Sequence, residues 1–357
     1  MKWIDGHLEV APPKKPKKIT GTHFATVLGI NPYNTPFEAW CRCTRTYEIP
    51  FEGNKFTAAG QVIEPKVFDF LRNSLGFGNK VVTPEDVYGK DHFKKTWGDF
   101  FPDVPVFGGS WDALIVDDDR RPEYVVEIKT VYADGRSGTL EDRWKDGEAP
   151  HYQALQASLY AHLLGIDKVL MVAVPLEEKK GDYDHPEQVV PSYANGNVYI
   201  DEFRVSKRYP DFDLYFEQAL AWWNTHVLTG ISPDYDENGK KDSQILKALR
   251  TNEAPADANI DALIAEAEGL KAELEAVYAS VADKEKQLKA VTDQIKKYLV
   301  GAFRPNDIAV ERKGGQYIWS VGKTESSEID KAALEADGLL DKYSRKKETF
   351  RITTKSI

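Results

Sequence analysis

Cysteine is almost absent from this 357-residue chain: Cys41 and Cys43 are the only two. A single C-x-C pair cannot supply the four thiolates of a structural zinc site or an iron–sulfur cluster. Two reduced thiols are ordinary in a protein kept in a reducing compartment. Long apolar runs are missing as well, and none approaches the ~20 residues that span a bilayer. The opening stretch, MKWIDGHLEVAPPKKPKK, has no apolar core of the kind a secretory signal carries. These absences predict a cytoplasmic protein with no membrane among its partners. No G-x-x-x-x-G-K-[S/T] loop occurs either, which excludes a P-loop motor.

Overall positive charge is also lacking. The formal net charge is −10, whereas a protein that grips a polyanion is expected to show a basic footprint. The charge is unevenly spread, however. Lys14, Lys15, Lys17 and Lys18 cluster near the start, and Arg345, Lys346, Lys347, Arg351 and Lys355 near the end. Acidic residues dominate the middle, and a local field can differ from the net charge. What remains is an ordinary globular balance, 41% hydrophobic and 29% charged, long enough for two domains or one large one.

The pattern along the chain predicts its organisation. Residues 1–18, rich in Pro and Lys, read as a flexible basic arm. A turn-rich entry around Gly29–Pro32 leads into a helical stretch from Pro36 to Arg45. Residues 60–75 read as a helix with Gly60, Glu64, Val67, Phe68 and Leu71 on one face. Pro65 removes a backbone donor, so that helix is expected to begin or kink near Glu64. Val106–Val116 and Glu123–Val131 read as two strands joined at Asp117-Asp118-Asp119. Pro150 opens a helix that Gly165 ends. Val169–Val174 and Val198–Val205 read as strands, and Phe212–Leu228 as an amphipathic helix carrying Trp222 and Trp223. Residues 236–257 read as a linker. In the remainder, 258–357, Leu263, Ala267, Leu270, Leu274, Val277, Val281, Leu288, Val291, Ile295 and Tyr298 form a heptad seam that only Lys284 interrupts. About thirty-six residues of helix would reach roughly 54 Å. A hairpin at Gly314-Gly315, a short helix from Ile329 and a strand near Phe350–Thr353 complete an accessory region of helix and β structure.

One constellation carries chemistry. Strand residues two apart share a face, so Glu127 and Lys129 of VVEIKT point the same way. If that strand pairs with the one holding Asp112, the two carboxylates and the carbonyl of Ile128 converge as oxygen ligands for a hard cation such as Mg2+. Lys129 can then position an attacking water and offset phosphate charge, and Glu64 is a third carboxylate facing inward. Without an ion, E-x-K on a strand is a solvent-facing ion-pair stripe. Val125, Val126 and Ile128, however, mark a largely buried strand, where charges need a partner or an ion. His151, His162, His185, Trp222 and Trp223 read as structural.

Six segments resemble the PD-(D/E)XK nucleases, and among them the YqaJ-like viral recombinase exonucleases related to lambda exonuclease. They are ITGTHFATVLGINPYNTPFEAW, GQVIEP, GGSWDALI, VVEIKT, PHYQALQASLYAHLLG and AWWNTHVLTGISP. The resemblance spans about residues 19–233 and implies an α/β nuclease domain over 19–235, with a mixed central sheet flanked by helices. It places the family's acidic residues on Glu64, Asp112 and Glu127, its lysine on Lys129 and its helical glutamine on Gln156. It also implies Mg2+ or Mn2+, double-stranded DNA ends as substrate, digestion during phage-type recombination with a single-strand annealing protein, and self-association. Family members bind a 5′ phosphate near the N-terminus; here Thr22 stands where Ser is usual and His23 where Asp is usual, with Lys18 the nearest basic residue. A structure- or site-directed endonuclease would use the same ligands, and a non-catalytic DNA-end-binding scaffold would keep only the fold.

Overall fold

The computed structural model describes residues 1–4, 6–50, 52–134, 140–251, 257–305 and 307–323, with Leu140 described in its backbone alone. The chain divides into two compact units, Met1–Glu253 and Ala254–Ile357.

In the first unit, β1 (Lys2–Ile4) and β2 (His7–Glu9) form a hairpin. Then come β3 (Ile19–Thr20), α1 (Gly21–Val27), α2 (Pro36–Thr44), α3 (Lys55–Asp69), β4 (Val81–Val82), α4 (Pro84–Tyr88) and α5 (His92–Thr96). The centre of the unit follows, with β5 (Phe107–Gly108), β6 (Ala113–Val116), β7 (Pro122–Ala133), α6 (Leu140–Lys145), α7 (His151–Leu164), β8 (Lys168–Glu177) and β9 (Tyr199–Arg204). It closes with α8 (Val205–Arg208), α9 (Phe212–Trp222) and α10 (Lys240–Arg250).

The main sheet has the order β4-β6-β7-β8-β9. Only β7 and β8 run parallel, and the other pairs are antiparallel, so the sheet is mixed as expected. Alternation along β8 explains the layering, because successive side chains leave opposite faces. Val169, Met171 and Ala173 enter the core that contains Leu155 and Leu159 of α7 and Phe24 of α1. Leu170, Val172 and Val174 enter a second core with Ile63 and Val67 of α3. Helices therefore cover both faces, and buried β8 reads as a continuous apolar run.

Four expectations need correction. The helix expected over 60–75 begins at Lys55, where Asn54 caps it by accepting from Thr57 N at 3.0 Å. It then runs through Pro65, which sits on the exposed side while Ile63 and Val67 are buried. Burial of that opposite face outweighs one missing backbone bond. The strand expected over Val106–Val116 is broken between β5 and β6, where Gly109 has φ +121. The arm expected over 1–18 is anchored instead. Leu8 is fully buried, its N–H donates to Ser232 Oγ at 2.8 Å, and Trp3 meets Tyr235 edge to face. The linker expected over 236–257 contains α10, whose Ile245 and Leu246 join the first core. Asp242 of α10 is buried and accepts from Thr35 Oγ1 at 2.5 Å and Asp236 N at 2.9 Å. An amphipathic helix next to an apolar surface docks rather than spanning as a tether.

In the second unit, α11 (Ala258–Gly301) is a 44-residue helix capped by Asp257. It is followed by the antiparallel hairpin of β10 (Ala309–Lys313) and β11 (Ile318–Gly322), the hairpin expected at Gly314-Gly315. The helix expected from Ile329, the strand near Phe350 and the basic cluster Arg345–Lys355 lie outside the described residues.

Candidate active site

Strand β6 stops pairing where Ala113 faces Val126 of β7. Four residues earlier, at Gly109, the chain turns away, so the next N–H of β7 on that side has no strand opposite it. The Asp112 side chain takes that place: Oδ2 accepts from Ile128 N at 2.7 Å. Asp112 is thus held by backbone at the point where the sheet opens into a cavity of about 470 Å³.

Glu127 and Lys129 leave β7 on the α7 side, as their spacing predicts. Lys129 Nζ donates to Glu127 Oε1 at 2.6 Å, and Gln156 Nε2, from the middle of α7, donates to the same oxygen at 2.5 Å. Lys129 Nζ also reaches Gln156 Oε1 at 3.3 Å. Glu127 is buried, and its other oxygen, Oε2, has no hydrogen-bond partner among the described residues. Glu64 of α3 lines the same cavity. All five expected residues, Glu64, Asp112, Glu127, Lys129 and Gln156, therefore border one space together with Ile128.

Negative charge is in surplus there. Burial, reinforced by Asp112 and opposed by Lys129, raises the Glu127 carboxyl to about 8. Burial and Asp112 raise Glu64 to about 7. Burial also raises Asp112, against the pull of Lys129 and the Ile128 N–H. Burial works to discharge Lys129, but Glu127 and Asp112 outweigh it and hold the ammonium above its usual range. Three carboxyls facing one ammonium, with one buried oxygen unsatisfied, are a donor set suited to a hard divalent cation. Among the described residues no three His, Cys, Asp or Glu side chains close into a ready cage. Mg2+ tolerates such an open set because it keeps several of its waters.

Thr22 is exposed on the cavity wall. Lys18 is not on that wall: its ammonium is held by Asp99 Oδ2 at 2.6 Å and Phe101 O at 2.8 Å. Asp99 in turn accepts from Gly109 N at 3.3 Å, so this pair braces the turn before Asp112. His23 faces Thr20 Oγ1 at 2.8 Å, and burial lowers its imidazole to about 3, leaving it neutral.

Sequence reasoning missed Tyr160, one turn beyond Gln156 on α7. It lines the cavity, and backbone at Gly21 and Ser110 hydrogen-bonds its phenol. A Cβ on Gly21 would lie 2.5 Å from its ring, and one on Gly109 would lie 2.6 Å from its oxygen. The spacing of four from Gln156 was the available signal. His151 contacts Tyr209, His162 packs on Phe212 and Phe216, and Trp223 is buried, as structural readings expect. Cys41 and Cys43 are free and buried, and burial pushes both thiols upward.

A mixed sheet sandwiched by helices, with acidic, lysine and glutamine side chains at its opening, defines the class, and the sequence comparison agrees. Residues 12–167 match the YqaJ-like viral recombinase domain, and the chain belongs to that family. The Mycoplasma pneumoniae protein named as an MG373 homolog is 30% identical over 250 residues, covering 61% of this chain and 83% of the relative. Uncharacterized protein MG373 of Mycoplasma genitalium is 29% identical over 254 residues, covering 62% and 85%. Among solved structures, a phage related exonuclease from Haemophilus somnus 129PT aligns with TM-score 0.39 and 14% identity over 59% of this chain and 95% of its own. The alkaline exonuclease LHK-Exo from Laribacter hongkongensis aligns with TM-score 0.34 and 14% identity over 59% and 89%.

Proposed function

We propose that the chain is a divalent-metal-dependent DNA exonuclease that hydrolyses phosphodiester bonds of double-stranded DNA from an end. We place it in the cytoplasm, in phage-type homologous recombination with a single-strand annealing protein. The observation that carries the reading is the joint placement of Glu64, Asp112, Glu127, Lys129 and Gln156 on one cavity, with Glu127 Oε2 buried and unsatisfied.

In this reading Asp112, Glu127, Glu64 and the carbonyl of Ile128 hold Mg2+ or Mn2+. When bound, the ion supplies a water of lowered pKa and Lewis-acid relief of charge on the phosphate. Lys129 orients the attacking water and offsets charge that grows on the phosphoryl oxygens. Gln156 holds Glu127 by Oε1, which leaves Oε2 available to the ion. Thr22 binds a terminal 5′ phosphate on the wall. Lys18 joins it only by exchanging Asp99 for the phosphate, since its donors are already engaged.

End-labelled linear duplex and covalently closed circular DNA, each with Mg2+ or with a chelator, test the reading. Mononucleotides are expected from the linear substrate alone, and only with metal. Nicking of the circle makes the chain an endonuclease on the same ligands, and end binding without cleavage in either metal makes it a scaffold. A faster rate on 5′-phosphorylated than on 5′-hydroxyl ends, narrowed by Lys18→Ala, is expected if the end-recognition roles are right; equal rates remove them.

A further inference from the structure

Among the described residues the apolar seam of α11 is uncovered along most of its length. Leu263, Leu270, Leu274, Val277, Leu288 and Val291 each expose more than half of their surface. Within the described residues the β10–β11 hairpin reaches only the C-terminal end of the helix, where Ile295, Tyr298 and Trp319 border one cavity and Leu299 is buried. A 44-residue helix gains most of its stability from burying such a stripe.

The charges along the helix say what covers it. Residues 258–279 hold Asp261, Glu266, Glu268, Glu273 and Glu275 against Lys271, a net of −4. Residues 280–301 hold Lys284, Lys286, Lys289, Lys296 and Lys297 against Asp283, Glu285 and Asp293, a net of +2. The two halves of this helix complement each other when two copies lie head to tail.

The seam has matching symmetry. In its heptads Ala267, Leu274, Val281, Leu288 and Ile295 occupy one core position, and Leu263, Leu270, Val277, Lys284 and Val291 the other. An antiparallel pair centred on Ala279 sets Val277 against Val281, Leu270 against Leu288, Ala267 against Val291 and Leu263 against Ile295. Lys284 then lies along Leu274 of the second copy, with its ammonium in that copy's acidic half, a placement that suits a long amphipathic stem. Lys271 falls opposite Gln287, two residues from Glu285 of the second copy. A parallel pair would instead stack Lys284 on Lys284 in the core and acidic half on acidic half. We infer that α11 is a self-association surface that binds α11 of a second copy of this chain in antiparallel register.

The inference is independent of the nuclease reading, and its test uses the full chain. Light scattering is expected to give twice the chain mass. Leu270→Glu with Leu288→Glu is expected to weaken the dimer at least tenfold. Both sites are exposed in the single chain, so an unchanged melting transition of the Met1–Glu253 unit shows that folding is intact. Because Cys41 and Cys43 are buried, introduced cysteines report the register. Leu270→Cys combined with Leu288→Cys is expected to cross-link two chains under oxidation. Leu270→Cys alone is not, because its copies then lie about 27 Å apart along the helix axis. The proposal is overturned by a monomer at tens of micromolar, by a dimer that survives the paired glutamates, or by cross-linking of Leu270→Cys alone, which marks a parallel pair.

Discussion

Glu127 divides its labour between two oxygens. Oε1 receives Lys129 and Gln156, and Oε2 is buried without a described partner. Removing Asp112 or Glu127 deletes a ligand in the proposed mechanism rather than core packing. Asp112→Ala and Glu127→Gln are therefore expected to cut Mg2+-dependent cleavage by about 10²–10³-fold or more while the fold persists, as a single-turnover assay with circular dichroism will read. Lys129→Ala is expected to lose turnover on the same scale but keep metal affinity by calorimetry. Near-normal cleavage in either carboxylate variant would refute the assignment. The raised carboxyls also predict a pH signature. Glu127 sits at about 8 in the fold against its usual 4.5, so between these values the folded chain binds more protons than the unfolded one. Stability of the metal-free protein is then expected to fall as pH rises through that window. Divalent metal is expected to restore more thermal stability at pH 8.5 than at pH 5, and Glu127→Gln to flatten the metal-free decline. A metal-free melting temperature that rises across the window would contradict the site's surplus charge.

At the scale of elements, the site is a junction between a strand end, a turn and one buried helix. The φ +121 at Gly109 lets β6 leave β7, and Asp112 then fills the vacated ladder position. Tyr160 packs where Gly109 and Gly21 leave room, so α7 carries both Gln156 and the support for the turn. Gly109→Ala places a Cβ against the Tyr160 oxygen on a backbone that L residues rarely adopt. It is expected to cost about 1–3 kcal/mol in a denaturant titration and to lower cleavage further by moving Asp112. Tyr160→Phe removes that oxygen but leaves ring carbons at 3.1 and 3.2 Å, so combined with Gly109→Ala it is expected to recover only part of the loss. Full recovery in the double variant would instead put the strain on the hydroxyl alone.

At the scale of the molecule, the first compact unit, Met1–Glu253, extends past the boundary at residue 235 that composition suggested. Ile245, Leu246 and buried Asp242 tie α10 to the first core and to Thr35, and Arg250 lies over the rings of Trp3 and Tyr235. A chain ended at Thr251 is expected to fold and cleave like the full chain. One ended at Pro233 exposes the core that α10 covers and is expected to melt at lower temperature or aggregate. Equal melting of the two would show that α10 is dispensable. Among the described residues no helix is long and apolar enough to cross a membrane.

The residues that meet at the cavity were legible in the sequence because strand period and motif order are local. Glu127 and Lys129 share a face by alternation, the Asp turn returns the chain to pair β6 with β7, and Pro150 and Gly165 bracket α7. Where the chain lets go of its neighbours was not legible. Pro65 inside α3, the break at Gly109, the docked hairpin of residues 2–9 and the burial of α10 depend on partners distant in sequence. Their local propensities point to an end, a continuous strand, an arm and a linker. Contacts such as Leu8 with Ser232 and Asp242 with Thr35 override those preferences, since burying an apolar face against a ready surface outweighs the weak local terms that sequence pattern reports.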